Sequence, residues 1–229
     1  MPGVYFIRHG QAGFDREEYD ALSPLGERQS VLAGAWLAGR RAAPDAVFCG
    51  RMARQRDTAR LAADAAGGAV SPVIHDGFDE FDYLDVLARA RPGLSSQSAI
   101  LGWLASEPEP RKAFQSVFAS AMERWMTGYL DDEYRESWPA FQRRILGALE
   151  HTLAASRGAD CVWVVTSGGV IAALCKHWMS LSDRAAMTLN WRLANAGITH
   201  CARRGDALEP VSLNVISHLD HEPSLVSYR

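Results

Sequence analysis

Apolar positions in this chain fall into short continuous runs broken by glycine- and arginine-rich turns, and the spacing between runs switches from strand-like to helix-like. Val4-Tyr5-Phe6-Ile7 is β-prone and ends abruptly at Arg8-His9-Gly10. Leu22-Ser23-Pro24-Leu25-Gly26 reads as a helix start. Ser23 can cap it, and Pro24 stands at the first position, where a missing N–H is harmless. Leu25, Leu32, Trp36 and Leu37 supply the apolar stripe. Ala46–Cys49 reads as a short buried strand, followed by an arginine-rich turn over Gly50–Arg54. A helix is expected over Thr58–Ala66, stopped by Gly67-Gly68, and a third strand over Val70–Ile74. From about Tyr83 to Leu153 strand signals vanish, and Phe141, Ile145, Leu149 and Leu153 recur at close to the helical period. Strands then return. Cys161–Val165 is the most continuous apolar run and predicts a central strand covered on both faces. It ends at Thr166-Ser167-Gly168-Gly169, ahead of a helix over Val170–Trp178, and Ile198–Ala202 and Val211–Ile216 complete the strands. The alternation predicts a single α/β domain over residues 1–229, a three-layer α/β/α sandwich with a mostly parallel central sheet, interrupted by a helical cap insertion at about 83–145.

Composition narrows the classes of function. A net charge of −3 excludes a generally basic nucleic-acid surface. No apolar run is long enough to span a bilayer, and the N-terminus lacks a basic segment followed by an apolar stretch, so neither membrane nor secretory signal is expected. The cysteines at 49, 161, 175 and 201 form no C-x-x-C pair. A zinc ribbon, a thioredoxin-like motif and a disulfide framework are all unexpected, and the reading is a protein of the reducing cytoplasm.

The chemistry lies at strand ends, where open α/β sheets bind ligands. One strand ends in Arg8-His9-Gly10, a second runs into Arg51 and Arg54, and a third ends in Ser167-Gly168-Gly169 before a helix. If these strands are neighbours, arginines, a histidine and a helix N-terminus converge into an anion site suited to phosphate. Neighbouring cations would keep His9 neutral and able to attack phosphorus.

These residues resemble the histidine phosphatase superfamily, also called phosphoglycerate mutase-like. Arg8-His9-Gly10 matches its first-strand motif, Leu22-Ser23-Pro24-Leu25-Gly26 its helix start, and Arg54 with Thr58-Ala59 its second arginine motif. Phe78-Asp79-Glu80-Phe81 loosely matches the segment of the general acid, and Asn195-Ala196-Gly197-Ile198-Thr199 the Asn before an outer strand. The resemblance implies that His9 is the nucleophile, that Arg8 and Arg54 hold the phosphoryl oxygens, and that Glu80 protonates the leaving oxygen and then activates water. Ser167 and Gly168 would complete the phosphate site. Gln11 and Asp15 would lie near the pocket mouth, and neither metal nor other cofactor is implied. In one respect the chain departs from the family, which carries His-Gly-Gly where this chain has Ser167-Gly168-Gly169. Losing that histidine's hydrogen bond would slow the reaction roughly ten- to a hundredfold, and Ser167→His should restore rate if the site has room. His177, His200 and His218 are alternative sources of a second histidine.

Other readings stay open at this level. Asp79 or Asp82 could be the acid instead of Glu80, and Arg51 could face solvent. His218-Leu219-Asp220-His221 could be a metal site or a solvated tail. Trp103, Trp125 and Trp138 could line a substrate pocket or simply pack. The activity expected is metal-independent hydrolysis of a small phosphomonoester through a phosphohistidine, with no nucleic-acid or membrane partner. The alternatives are a weakly active or non-catalytic phospholigand-binding protein, motivated by Ser167, and a phosphoglycerate-type mutase. Against the mutase stands the lack of a basic cluster in the insertion beyond Arg111-Lys112 and Arg143-Arg144. An exposed apolar cap would serve either a homodimer or a pocket.

Overall fold

The computed structural model describes residues 3–13, 20–68, 70–205 and 207–228. Six strands, β1 (Gly3–Arg8), β2 (Ala46–Cys49), β3 (Val73–Ile74), β4 (Cys161–Thr166), β5 (Ile198–Arg204) and β6 (Ala207–Val215), form one sheet in the order β3-β2-β4-β1-β5-β6. The first four in that order are parallel, and β5 and β6 add an antiparallel margin. The sheet is therefore mixed and largely parallel, as the alternating pattern predicts. Because β2, β4 and β1 are consecutive, the strand ends that carry the arginines, the histidine and Ser-Gly-Gly lie side by side, with Arg8 in register with Thr166 and Cys49 with Val165.

Eight helices accompany the sheet among the described residues: α1 (Pro24–Gly39), α2 (Ala53–Ala65), α3 (Tyr83–Ala90), α4 (Gln97–Ala105), α5 (Pro110–Met126), α6 (Trp138–Ala155), α7 (Gly168–Met179) and α8 (Asp183–Arg192). The start of α1 is as read from sequence: Ser23 Oγ accepts from Gly26 N–H, with Pro24 at the first position. Helix α2 begins at Ala53, a turn and more before Thr58, because the Asp20 carboxylate accepts the Ala53 N–H. Arg54 is thereby helical rather than part of a turn. Strand β3 shrinks to two residues, since Pro72 cannot donate to a ladder. Strand β6 instead starts earlier than expected, running from the Gly205 hairpin turn, and tolerates Pro210 because it is an edge strand. Helix α8 is not announced by the hydrophobic pattern. Ser182 caps it, but only Ala186 of its residues is fully buried, so no apolar stripe exists to be read.

The described residues pack as two compact units, 3–80 with 145–228, and 81–144. In the first, every residue of β4 is buried, and Tyr5, Ile7, Leu37, Val47, Trp163 and Val165 share a core with the small faces of α1 and α2. The buried Trp163 indole donates to Ala42 O at 3.0 Å, which removes the cost of an unpaired donor. All four cysteines are buried and free. Burial pushes Cys49 and Cys161 up to about 11 and Cys175 and Cys201 up to about 12, so they pack as inert small hydrophobes.

The second unit is helical and centres on an aromatic cluster. Phe81 lies 5.1 Å from Trp125 and 5.7 Å from Phe141, and Trp125 lies 5.1 Å from Trp138 between ring centroids. Trp125 and Trp138 are thus core residues of this unit, not pocket lining. Trp103 is half-buried, with Arg91 stacked on its ring and its indole N–H donating to Glu107. Among the described residues no helix is long and apolar enough to cross a membrane.

Candidate active site

The site grows out of the end of β1. The backbone N–H of His9 continues the ladder to Thr166 O at 2.8 Å, and its carbonyl accepts from Ala196 N–H and from Asn195 Nδ2. Asn195 is itself held by Ser227, whose hydroxyl donates to its Oδ1. These bonds hold the His9 backbone from β4 on one side and from the turn before β5 on the other. The next residue, Gly10, donates its N–H to Thr58 Oγ1 at 3.0 Å. Here the Arg-to-Thr spacing acquires a physical meaning. Residues four apart share a helix face, so α2 presents Arg54 to the His9 ring and Thr58 to the backbone just beyond it. Glycine is required on both sides of that turn. A Cβ on Gly10 would sit 2.3 Å from Gly26 O, and one on Gly26 would sit 2.1 Å from Gln11 O.

The His9 ring is buried, and its two nitrogens face opposite partners. Nδ1 lies 2.7 Å from Gly10 O, which can only accept. Nε2 lies 3.1 Å from Arg54 Nε, which can only donate. The ring is therefore neutral, with the proton on Nδ1 and the lone pair on Nε2. Burial, followed by the charges of Arg54 and Arg8, holds its pKa well below the usual histidine value. The cations foreseen from sequence act in that direction, but desolvation is the larger cause.

Arg54 is almost wholly buried and donates Nη1 to Asp20 Oδ1 at 2.7 Å. Asp20 is a residue that sequence reasoning missed. It stands in a polar loop, and nothing in the spacing connects it to α2. Arg8 donates Nη1 to Leu193 O. Its guanidinium passes beside Gly168, where a Cβ would come 3.4 Å from Arg8 Nε and 2.4 Å from Asn190 Oδ1. Gly168 is thus needed for close approach of the α7 N-terminus to Arg8.

The carboxylates between β3 and α3 separate by their partners. Asp79 accepts from Arg51 twice, at the backbone N–H (2.6 Å) and at Nε (2.7 Å), which uses both its oxygens and leaves Arg51 exposed. Asp82 caps α3 and pairs with Arg135 within the helical unit. Glu80 instead reaches the start of α7, where its Oε2 accepts from Gly169 N–H at 3.0 Å. Ser167 is fully buried at the N-cap of α7, yet its hydroxyl makes no capping bond. It accepts from Gln55 Nε2 at 2.9 Å. His9, Arg8, Arg54, Glu80, Ser167 and Gly168 therefore come together at adjacent strand ends of one unit.

Gln11 is tied to the start of α1, its Oε1 accepting from Ser23 Oγ and its N–H donating to Gln29. Asp15 lies outside the described residues. His177 is exposed near the end of α7, His200 stacks on Tyr5, and His218 is buried against Trp36. Among the described residues no group of three or more His, Cys, Asp and Glu side chains is placed to hold a metal ion.

The sequence model of the histidine phosphatase superfamily (branch 1) matches residues 4–216, and the chain belongs to that superfamily. No curated protein sequence matches the chain. Solved structures with the same fold include three examples at low identity. A phosphoserine phosphatase variant from Entamoeba histolytica in complex with phosphoserine has a TM-score of 0.64 at 16% identity, covering 96% of this chain and 100% of that one. A phosphoglycerate mutase from Bacillus anthracis str. Sterne has a TM-score of 0.65 at 17% identity, covering 95% and 94%. A mycobacterial glucosyl-3-phosphoglycerate phosphatase complexed with VO3 has a TM-score of 0.61 at 20% identity, covering 94% and 99%.

Proposed function

We propose that this protein hydrolyses phosphomonoesters through a phosphohistidine on His9. The observation that carries this reading is the state of the His9 ring: a neutral imidazole whose Nε2 lone pair faces Arg54, with Arg8 as a second nearby cation. A phosphoryl group entering there replaces Nε2 as the acceptor of the Arg54 donor. The lone pair then forms the N–P bond as the P–O bond breaks, and the leaving oxygen takes a proton from the Glu80 carboxyl. The Nδ1–H bond to Gly10 O steadies the positive ring that results. In the second half, the Glu80 carboxylate removes a proton from water as its oxygen attacks phosphorus, and the N–P electrons return to Nε2. The arginines and the α7 N-terminus stabilise the charge on the phosphoryl oxygens. Among the three carboxylates, the partners of Asp79 and Asp82 favour Glu80 as the acid.

The superfamily membership and the phosphatases among its structural relatives support this class of reaction, on a phosphorylated small molecule as substrate. Four cysteines used as buried small hydrophobes fit a cytoplasmic location.

The test is hydrolysis of p-nitrophenyl phosphate with chelator present, wild type beside His9→Ala, over about pH 5 to 8. Turnover that disappears in the variant is expected. Folded wild type that binds vanadate without turning over substrate would instead establish the second reading, a phospholigand-binding protein, for which Ser167 is the motivating residue.

A further inference from the structure

Gln55 has no role in the mechanism above, yet it is fully buried beside Arg54 and every part of its amide is used. Its Oε1 accepts from Met52 N–H at 3.3 Å, and its Nε2 donates to Phe78 O at 3.0 Å and to Ser167 Oγ at 2.9 Å. The two backbone partners settle which end is which. A flipped amide would set NH2 against an N–H and oxygen against a carbonyl. Gly50 keeps the space open, since a Cβ there would lie 2.0 Å from Gln55 Oε1.

The consequence falls on Ser167. A hydroxyl that receives a hydrogen bond from an obligatory donor has its own proton left to give. Among the described residues that proton has no acceptor, although Ser167 is fully buried. Nor does the hydroxyl serve the helix it precedes, where the Gly169 N–H goes to Glu80. The residues on either side touch the site: the Thr166 carbonyl accepts from His9 N–H, and Gly168 packs beside Arg8.

We infer that Gln55 is a positioning residue that turns the Ser167 hydroxyl into a fixed donor toward the phosphoryl group. The pair would then supply the hydrogen bond that the second histidine provides where the superfamily carries one. The inference rests on the phosphoryl-transfer reading of the site. It also revises an expectation from sequence. On this inference Ser167→His alone brings no gain, because the imidazole would meet the Gln55 amide, whose Nε2 lies 2.9 Å from Ser167 Oγ.

The experiment is a double-mutant cycle with Gln55→Met and Ser167→Ala, read both as kcat on p-nitrophenyl phosphate and as vanadate affinity. Each single variant is expected to lose about ten- to a hundredfold, the worth of one hydrogen bond to a charged group, and the double variant no more than either single. Gln55→Ala with Ser167→His should recover part of the loss, whereas Ser167→His alone should not gain. Losses that multiply in the double variant, or a Gln55→Met protein with wild-type kcat and vanadate affinity, overturn the inference. If Gln55→Met does not fold, Ser167→Ala decides alone: unchanged vanadate affinity and kcat overturn it. Absence of turnover in wild type would defeat the phosphohistidine reading, while the vanadate cycle would still report on the Gln55–Ser167 pair.

Discussion

At the scale of single residues, the geometry around His9 depends on side chains that do not themselves reach its ring. Asp20 is the clearest case. One of its oxygens accepts the Ala53 N–H at the start of α2, and the other holds Arg54 Nη1, each at 2.7 Å. Arg54 in turn aims Nε at His9. Asp20→Ala should therefore cost about 1 kcal/mol of stability through the lost helix-end bond. It should also lower kcat/KM on p-nitrophenyl phosphate by roughly ten- to a hundredfold through a misplaced Arg54. Urea unfolding and steady-state kinetics read the two effects separately, and wild-type kcat/KM would remove Asp20 from the site. Neither Asp20 nor Gln55 was legible in the sequence. Asp20 stands far along the chain from Arg54, and Gln55 lies on a helix face that local periodicity did not mark as special. Arg8, His9 and Arg54 were legible because a charged residue closing or following an apolar strand is conspicuous without any knowledge of packing.

At the scale of elements, the motif residues act by letting backbones meet. The loop after β1 and the first turn of α1 touch at Gly10 and Gly26, main chain against main chain. Thr58 then fixes the loop from α2, and its hydroxyl also accepts from Ser30 of α1. Gly26→Ala places a carbon 2.1 Å from Gln11 O, so backbone must move. We expect a loss of at least the ~1–3 kcal/mol typical of overpacking, and a matching fall in Tm. Activity should fall further than stability predicts, because the displaced segment carries His9. A Gly26→Ala protein with the wild-type Tm would show that the loop accommodates a side chain the geometry excludes. The same contacts explain how well the early elements could be read. Ser23, Pro24 and Gly26 announce α1 by local chemistry. The true start of α2 and the whole of α8 depend on a distant cap or on a nearly unburied face, and neither leaves a hydrophobic period.

At the scale of the molecule, strand order does the assembling: with β4 between β2 and β1, residues far apart in sequence meet at the ends of neighbouring strands. The C-terminal segment supports the end of β1, since Ser227 bonds Asn195, which bonds the His9 carbonyl. His218 lies at the root of this segment, 4% exposed, with its ring 5.8 Å from that of Trp36. Burial pushes its pKa down to about 4. As pH falls below the ordinary histidine value near 6.5, the unfolded chain takes up a proton that the folded state refuses until about pH 4. Stability must therefore fall across that window, by about 3 kcal/mol for this group alone. The buried His9 contributes in the same direction. His218→Phe, which keeps a ring against Trp36, should flatten the decline by its share while leaving stability near pH 7 little changed. Urea unfolding of both proteins at several pH values between 4 and 7 measures the difference. Parallel curves would mean that His218 is not the buried neutral group the packing requires. A flattened curve with an unchanged acid limb of activity would separate the two histidines, because His218 would then govern acid stability without setting the protonation of His9, the proposed nucleophile.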